Sequence, residues 1–260
     1  MADIGFTQVD LGDGVYAGFT NRHGGVSQAP YGSLNLGPNV DDEVATVAEN
    51  RALVATLVGA PVVFSSQIHG KNIIEIDDAA ATPWLSETPP ITAGEADALF
   101  TTTGLGLGVL VADCVPVILA SAPTESPMAM VATAHAGRRG VELNVVGAVI
   151  ERMKGYGATE IKAAIGPSIC GLCYEVPSEM REAVAAIEPK TWAQTRQGTP
   201  GLDLPAAVAD QITRAGAQVV FQSTDCTLEH RDYFSHRRAT QRHDGGKTGR
   251  QAGVVKLLRA

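Results

Sequence analysis

The sequence predicts an α+β fold of mixed α/β character: a single domain spanning residues 1–260, with layered mixed β-sheets flanked by helices. Three observations carry this. Short apolar runs rich in Val, Ile and Leu, such as 62–64, 107–111 and 117–120, have strand length. Windows with i, i+4 apolar spacing are interleaved with them along the whole chain. No stretch of Pro, Ser or Gly is long enough to act as a linker. The length of 260 residues suits one such unit, since single α/β domains of roughly 200–250 residues are routine.

The elements follow in order. Residues 15–20 alternate weakly as a strand and enter the glycine-paired loop 21–27. Residues 41–59 carry Val44, Val47, Ala48, Arg51, Leu53, Val54, Leu57 and Val58 at helical spacing, with Asp41 or Asp42 near the N-cap. Residues 62–64 and 72–76 are expected strands, and 77–93, with several Pro, Thr and Ala, a loop. Four strands follow over 98–101, 107–111, 117–120 and 128–133. Residues 141–154 form one expected helix, stopped by Gly155. A strand over 161–165 precedes a helix over 178–187, with Ser178 as N-cap and Glu179 in the first turn. A last helix over 204–215 has Pro205 at its start, and 219–221 and 254–258 close the list of strands.

Composition narrows the function. A hydrophobic share of 45% and a charged share of 18% are those of a globular protein with a sizeable core. A net charge of −8 argues against general nucleic-acid binding, which needs clustered Lys and Arg to neutralise phosphate. No apolar run approaches the roughly 18 residues of a membrane span, and residues 1–10 lack the apolar core of a secretory signal. The expected partners are therefore small molecules, with neither nucleic acid nor membrane. Four sparse cysteines fit the cytoplasm, where thiols stay reduced.

Three segments carry chemistry. Gln67-Ile68-His69-Gly70, Ala112-Asp113-Cys114 and Ala134-His135-Ala136-Gly137 each place one metal-capable side chain where a strand hands over to a loop. Two histidines and a cysteine are a three-ligand set, and catalytic zinc commonly takes three protein ligands with a fourth position open. A histidine alone is more often a structural hydrogen-bonding residue than a ligand, and a free cysteine is usually an inert buried thiol. Cys114 as a thiolate also requires a positive neighbour, because Asp113 beside it works the other way. Their common position at strand ends, where α/β sheets place sites, unites the three. Arg138 and Arg139 after His135 add an anion-binding character.

Two further patterns have bland explanations. Cys170-Gly171-Leu172-Cys173 is a CxxC without two evident further ligands, and is read as structural. The basic stretch 231–250, with Arg237, Arg238, Arg242, Lys247 and Arg250 among glycines, is either a solvated loop or a phosphate clamp. The spacing of His230, His236 and His243 fits no helix face, so they are discounted as ligands.

These segments together with Thr20-Asn21-Arg22-His23-Gly24-Gly25-Val26-Ser27, Tyr31-Gly32-Ser33-Leu34-Asn35-Leu36-Gly37, Glu49-Asn50-Arg51, Ala96-Asp97-Ala98, His135-Ala136-Gly137-Arg138-Arg139-Gly140, Ile165-Gly166-Pro167-Ser168-Ile169, Cys173-Tyr174-Glu175-Val176 and Thr248-Gly249-Arg250-Gln251 make the chain resemble the laccase-domain family. That family is also called multicopper polyphenol oxidase, purine nucleoside phosphorylase or peptidoglycan editing factor. The resemblance runs in order over nearly the whole chain. It implies layered mixed sheets and zinc on His69, Cys114 and His135. It also implies phosphorolysis of adenosine, inosine and methylthioadenosine and deamination of adenosine, and the older laccase assignment implies copper. Arg51, Gln67 and Asn35 match family positions near the pocket. Arg138 where the family often has Trp, Val40 where it often has Gly, Leu172 where it often has Cys, and an insertion over 239–243 depart from the pattern.

On this basis Asp113 is the candidate acid/base, and Arg51, Arg238 and Lys247 are the candidate phosphate groups. One alternative is a cysteine hydrolase or amidase of cell-wall precursors, with Cys114 as nucleophile, His135 as base and Asp113 or Asn144 as orienting group. A copper oxidase of phenols ranks lower, because copper–oxygen chemistry usually gathers several histidines and the chain has six in all.

Overall fold

The computed structural model describes residues 4–77, 92–122, 128–241 and 246–258. Its strands are β1 (Phe6–Gln8), β2 (Val15–Thr20), β3 (Val62–Phe64), β4 (Ile73–Glu75), β5 (Ala98–Thr101), β6 (Gly106–Val111), β7 (Val115–Ser121), β8 (Met130–Ala136), β9 (Lys162–Ile165), β10 (Trp192–Gln194), β11 (Pro200–Leu202), β12 (Gln218–Gln222) and β13 (Gln251–Leu257). Its helices are α1 (Val44–Val58), α2 (Arg138–Glu142), α3 (Val145–Gly155), α4 (Ser178–Ile187), α5 (Leu204–Arg214) and α6 (His236–Gln241). A five-stranded sheet runs β1-β2-β13-β6-β3 and a six-stranded sheet runs β12-β9-β7-β8-β5-β4, with β10 and β11 as a separate hairpin. Both large sheets are mixed: β3 joins β6, β4 joins β5 and β12 joins β9 in parallel, while the other pairs are antiparallel. The expected class holds.

Side-chain alternation sorts the strands into layers. On β7, Val115, Val117 and Leu119 pack against Val145, Val149, Ile150 and Met153 of α3 and against Val208 and Ile212 of α5. The alternate residues Ile118 and Ala120 point the other way, into a core shared with Leu107, Val109 and Val111 of β6 and Val255 of β13. The outer face of the five-stranded sheet gives Leu110, Ala252, Val254 and Phe64 to Val54 and Val58 of α1. The stack is thus helices, six-stranded sheet, five-stranded sheet, helix. Strands covered on both faces have no solvent side, which is why β6 and most of β7 read as near-continuous apolar runs. Gly108 on β6 lets the sheet accept the ring of Phe64, because a Cβ there would lie 2.2 Å from Phe64 Cε1.

Several expectations shift in detail. The single helix over 141–154 is two, α2 and α3, because Asn144 adopts the left-handed conformation (φ 55°) and caps α3 by accepting from Gly147 N–H. Ser178 is the first helical residue of α4 and Pro177 precedes it as the cap. Asp203 caps α5 by accepting from Ala206 N–H at 3.0 Å. Pro116 lies within β7 instead of ending a turn; it sits past the last β7–β9 pair, where a missing N–H interrupts no ladder. β8 extends to Ala136, so His135 is a strand residue. β1, β10, β11 and α6 had no periodic signal, being of three to six residues. Most of the expected loop 77–93 and the end of the expected insertion 239–243 lie outside the described residues. No helix among the described residues is long and apolar enough to cross a membrane.

Ile118 sits between the two sheets, fully buried, opposite Thr133 of β8 and Ala164 of β9. Its replacement by Ala leaves a cavity between two rigid layers. The expected loss is about 2–5 kcal/mol of unfolding free energy, read from the denaturant midpoint at unchanged slope.

Candidate active site

At one rim of the sandwich the chain passes between the two sheets repeatedly. From β3 it crosses to β4 through residues 65–72, from β6 to β7 through residues 112–114, and from β12 back to β13 through the segment 223–250. Strands that change sheet must turn a corner. Two corners use non-glycine residues at positive φ, His69 at 58° and Asp113 at 92°. Such conformations cost of order 1–3 kcal/mol and persist where the surroundings over-determine them. His69 lies on the first corner, Cys114 follows Asp113 on the second, and His135 comes from the end of β8.

The three side chains converge. One ligand atom from each of His69, Cys114 and His135 lies within 4.8 Å of the others. Cys114 Sγ is 3.8 Å from His69 Nε2, and the two imidazoles meet edge to face with centroids 4.7 Å apart. Gly137 supplies the room: a Cβ there would stand 2.9 Å from Cys114 Sγ and 2.8 Å from His69 Cδ2. His135 is buried, Cys114 half-buried and His69 exposed, so the cluster opens outward from one side.

Asp97 organises both histidine segments. This buried carboxylate accepts from the backbone N–H groups of Ile68 (3.2 Å), His69 (2.9 Å) and Gly70 (2.6 Å), and pairs with His135 Nδ1 at 2.8 Å. The main chain adds His135 N–H to Asp97 C=O at 2.7 Å. Burial alone would push the Asp97 carboxyl up, but the His135 hydrogen bond and the Gly70 and Ile68 N–H groups hold it below the ordinary carboxylate value. With Nδ1 committed to Asp97, His135 presents Nε2 to Cys114. A carboxylate behind a ligating histidine is the arrangement that fixes ring orientation in metal sites.

The electrostatics of the metal-free cluster follow. Burial works against a charged Cys114, yet the positive His135 ring and hydrogen bonds from His135 and His69 outweigh it and bring the thiol to about 6. Burial likewise lowers His135, and the Cys114 and Asp97 charges overcome this and raise it to about 9. Between these values the pair is thiolate and imidazolium. The positive neighbour that a Cys114 thiolate requires is thus His135 itself, and a metal displacing that proton meets a thiolate already formed. Two imidazoles and a thiolate, with one side open and a carboxylate behind, suit a zinc ion with a free coordination position. A multicopper centre finds less support: among the described residues the two groups able to hold a metal contain only two histidines between them.

The cluster forms one end of a cavity of about 380 Å³. Gln67 on its wall is locked by two hydrogen bonds to one residue of β6, accepting from Leu110 N–H (2.8 Å) and donating to Leu110 C=O (2.7 Å). Arg250 and His236 line it as well, along with Ser66 and residues 37–40. Arg250 is largely buried, which lowers its pKa, while Cys114 and Asp113 act in the opposite direction.

The other expected site residues stand elsewhere. Asp113 is spent on the corner: Oδ1 accepts from Thr227 Oγ1 at 2.7 Å and Oδ2 from Arg237 N–H at 2.7 Å. It does not line the cavity. The carboxylate that orients His135 is Asp97, whereas Asn144 caps α3. Arg51 is a buried residue of α1 itself, donating to Leu36 C=O at 3.0 Å with its guanidinium over the Phe64 ring. Arg238 donates to the carbonyls of Thr227, Leu228, His230 and Tyr233 and thereby folds its own loop. Lys247 pairs with Asp41 at 3.4 Å on the surface. Asn35 acts from behind the wall, its Oδ1 accepting from the N–H groups of Gly37 and Arg250.

A family model described as multi-copper polyphenol oxidoreductase laccase matches residues 16–258. This chain belongs to the laccase-domain family. Among similar laccase-domain proteins, one named purine nucleoside phosphorylase from Streptomyces coelicolor is 44% identical over 256 residues, covering 96% of this chain and 98% of the relative. Another of that name from Corynebacterium glutamicum is 42% identical over 245 residues, covering 92% and 93%. The crystal structure of YlmD from Geobacillus stearothermophilus superposes with a TM-score of 0.84 at 29% identity, covering 100% of this chain and 98% of that one. The hypothetical protein YfiH of Bacillus licheniformis gives 0.83 at 29% identity over 97% and 96%. The laccase-domain fold is therefore shared throughout the chain.

Changing Asp97 to Asn removes the charge that holds His135 and the 68–70 turn. Metal affinity is expected to fall about 10–100-fold, measured by competition with a chromophoric chelator on protein whose circular dichroism is unchanged. An unaltered affinity would assign Asp97 to folding alone.

Proposed function

We propose that this protein is a zinc-dependent purine nucleoside enzyme. It cleaves adenosine, inosine and methylthioadenosine with phosphate, and it deaminates adenosine in the same cavity. The observation that supports the reading most is the meeting of His69, Cys114 and His135 at the end of a cavity that is also lined by the partly buried Arg250, in a chain 44% identical to a protein named purine nucleoside phosphorylase. A volume of about 380 Å³ falls in the range of small-ligand sites.

In phosphorolysis a phosphate oxygen forms a bond to ribose C1′, the bond from C1′ to the purine N9 breaks, and the departing base takes a proton. The phosphate needs a cation, and the base needs a proton donor. Arg250 is the guanidinium on the cavity wall, and Asn35 fixes its backbone. His236 on the same wall is an imidazole within the cavity and the side chain suited to pass a proton to the leaving purine. Gln67, unable to rotate, offers a rigid edge against which a planar base aligns. Deamination replaces the C6 amino group of adenosine by oxygen from water, with ammonia leaving. Zinc, when bound, supplies a Lewis acid that makes hydroxide available near neutral pH. Asp97 and His135 hold the ligand set in place for either reaction.

The test is a product scan on purified protein with adenosine and inosine, with and without phosphate and after chelation. Free base and ribose 1-phosphate are expected only with phosphate, inosine from adenosine without it, and both activities fall on metal removal. Arg250→Gln is expected to raise the KM for phosphate about tenfold with little change in deamination. A metal-free protein that deaminates adenosine at full rate would sink the zinc reading.

A second reading, a cysteine hydrolase or amidase of cell-wall precursors, draws on the thiolate–imidazolium pair of Cys114 and His135. Iodoacetamide separates the two. In metal-free protein the alkylation rate of Cys114 is expected to rise through pH about 6, since the thiolate forms there, instead of the ordinary thiol range. Added zinc should abolish labelling if Cys114 is a ligand; rapid labelling that persists with zinc bound supports the hydrolase.

A further inference from the structure

We infer that the chain holds a second, structural zinc, bound by Cys170, Cys173, Cys226 and Glu229. The CxxC lies in the loop after β9 and the partner pair in the loop after β12, parallel neighbours in the six-stranded sheet whose ends reach the same rim. One ligand atom from each of the four residues lies within 4.8 Å of all the others. Tetrahedral zinc with sulfur at ~2.3 Å places its sulfurs about 3.8 Å apart, so small side-chain adjustments close the site. All three cysteines are free thiols.

Two features distinguish this from a chance gathering. The partner pair repeats the spacing of the first: Cys226-Thr227-Leu228-Glu229 is CxxE, so the chain reads CxxC followed by CxxE. The two turns are also built alike. Cys173 N–H and Tyr174 N–H both donate to Cys170 C=O (3.0 and 2.9 Å), and Glu229 N–H and His230 N–H both donate to Cys226 C=O (3.1 and 2.8 Å). Each turn thus presents its first and fourth side chains in the same direction, the knuckle geometry that paired ligands of structural zinc sites use. The turns are further joined by Thr227 N–H to Ser168 C=O at 3.0 Å and by Cys170 N–H to Cys226 Sγ at 3.5 Å. Arg196 pairs with Glu229 Oε2 at 3.0 Å, which leaves Oε1 for a metal and offsets part of the charge of three thiolates and a carboxylate. Thiolate-rich donor sets of this kind favour zinc over hard cations.

The position gives the site a purpose. Ile169, next to Cys170, and Thr227, between Cys226 and Glu229, hold Asp113: Ile169 N–H donates to Asp113 C=O at 2.9 Å and Thr227 Oγ1 to its carboxylate at 2.7 Å. A cation clamping the two loops would brace the corner that carries Cys114, without touching substrate.

The test uses the full chain with Cys114→Ala, which removes the cavity cluster's thiolate and leaves the knuckles intact. Purified without chelator, this variant is expected to contain about one zinc per chain by elemental analysis. Its three remaining thiols should react with a disulfide reagent only after chelation. Cobalt exchanged into it should show the strong near-ultraviolet band of thiolate-to-metal charge transfer. Glu229→Ala added to it, an exposed change that leaves the cysteines to fold as before, should weaken zinc retention at least tenfold. Three freely reactive thiols with no zinc after dialysis against zinc salt, or a disulfide among Cys170, Cys173 and Cys226 by mass spectrometry, would overturn the proposal. Because protection of Cys114 from alkylation by added zinc reports the cavity alone, and zinc retention by the Cys114→Ala variant reports the knuckles alone, the two can fail separately.

Discussion

The buried carboxylate of Asp97 is the interaction on which the candidate site depends. A carboxylate inside a protein is costly unless its lone pairs are filled, and this one is filled by three successive backbone N–H groups and an imidazole. The three N–H groups belong to the turn that carries His69 at positive φ, and the imidazole is that of His135. A single charge therefore fixes the backbone of one candidate ligand and the ring of another. Charge-assisted bonds of this kind are worth roughly 1.5–3 kcal/mol each, enough to offset the strain of a left-handed histidine. The third candidate, Cys114, is tied to the same carboxylate, since the Cys114 charge and then Asp97 keep His135 protonated and His135 in turn stabilises the sulfur.

Why the site lies where it does follows from the layering. Two sheets packed face to face bury the inner sides of β6, β7 and β8 in an apolar layer that includes Leu107, Ile118 and Val131. The charged groups of the candidate site stand at the rim, where the chain leaves one sheet for the other. Each crossing exposes a few backbone groups that no ladder satisfies. Asp97, Asp113 and Gln67 answer that need, each bonding backbone N–H or C=O groups of a neighbouring segment. The rim's polar residues are occupied with one another and with the backbone, and Arg250 and His236 are among the side chains facing the cavity, Arg250 with its Nη1 donating to the carbonyls of Thr248 and Gly249.

The α+β class, most elements and the three clustered side chains were legible in the sequence, because periodicity and residue type report burial and ligand chemistry directly. What was not legible depended on partners distant in sequence. Asp97 follows Ala96 at the start of an apolar strand, and a charge at the head of such a run was the available sign of a buried, bonded carboxylate. Asp113 looked catalytic through adjacency to Cys114, yet adjacency on a strand-to-strand corner sends neighbouring side chains to different places. Arg51 was a candidate anion ligand through the family resemblance and Arg238 through its basic, glycine-containing stretch; here one is buried on its own helix and the other folds a loop onto its own carbonyls. The CxxC appeared to lack two further ligands because Cys226 and Glu229 arrive 53 or more residues later, from a strand whose parallel pairing with β9 no local pattern announces.

That last point bears on how the rim is held. The segment 223–250 returns from one sheet to the other and brings Thr227 and Arg237 to Asp113, and His236 and Arg250 to the cavity. A return of this length carries a substantial ordering cost, and among its described residues only α6 is regular. Arg238, donating to four carbonyls between Thr227 and Tyr233, recovers part of that cost from inside the loop. The Thr227 and Arg237 bonds to Asp113 recover more by fastening it to the Cys114 corner. Removing the carboxylate of Asp113 would therefore free both the loop and the corner at once. A loss of activity on Asp113 substitution is consequently no evidence of proton transfer: a positioning residue here should depress metal retention and turnover together, whereas an acid or base would leave the metal in place.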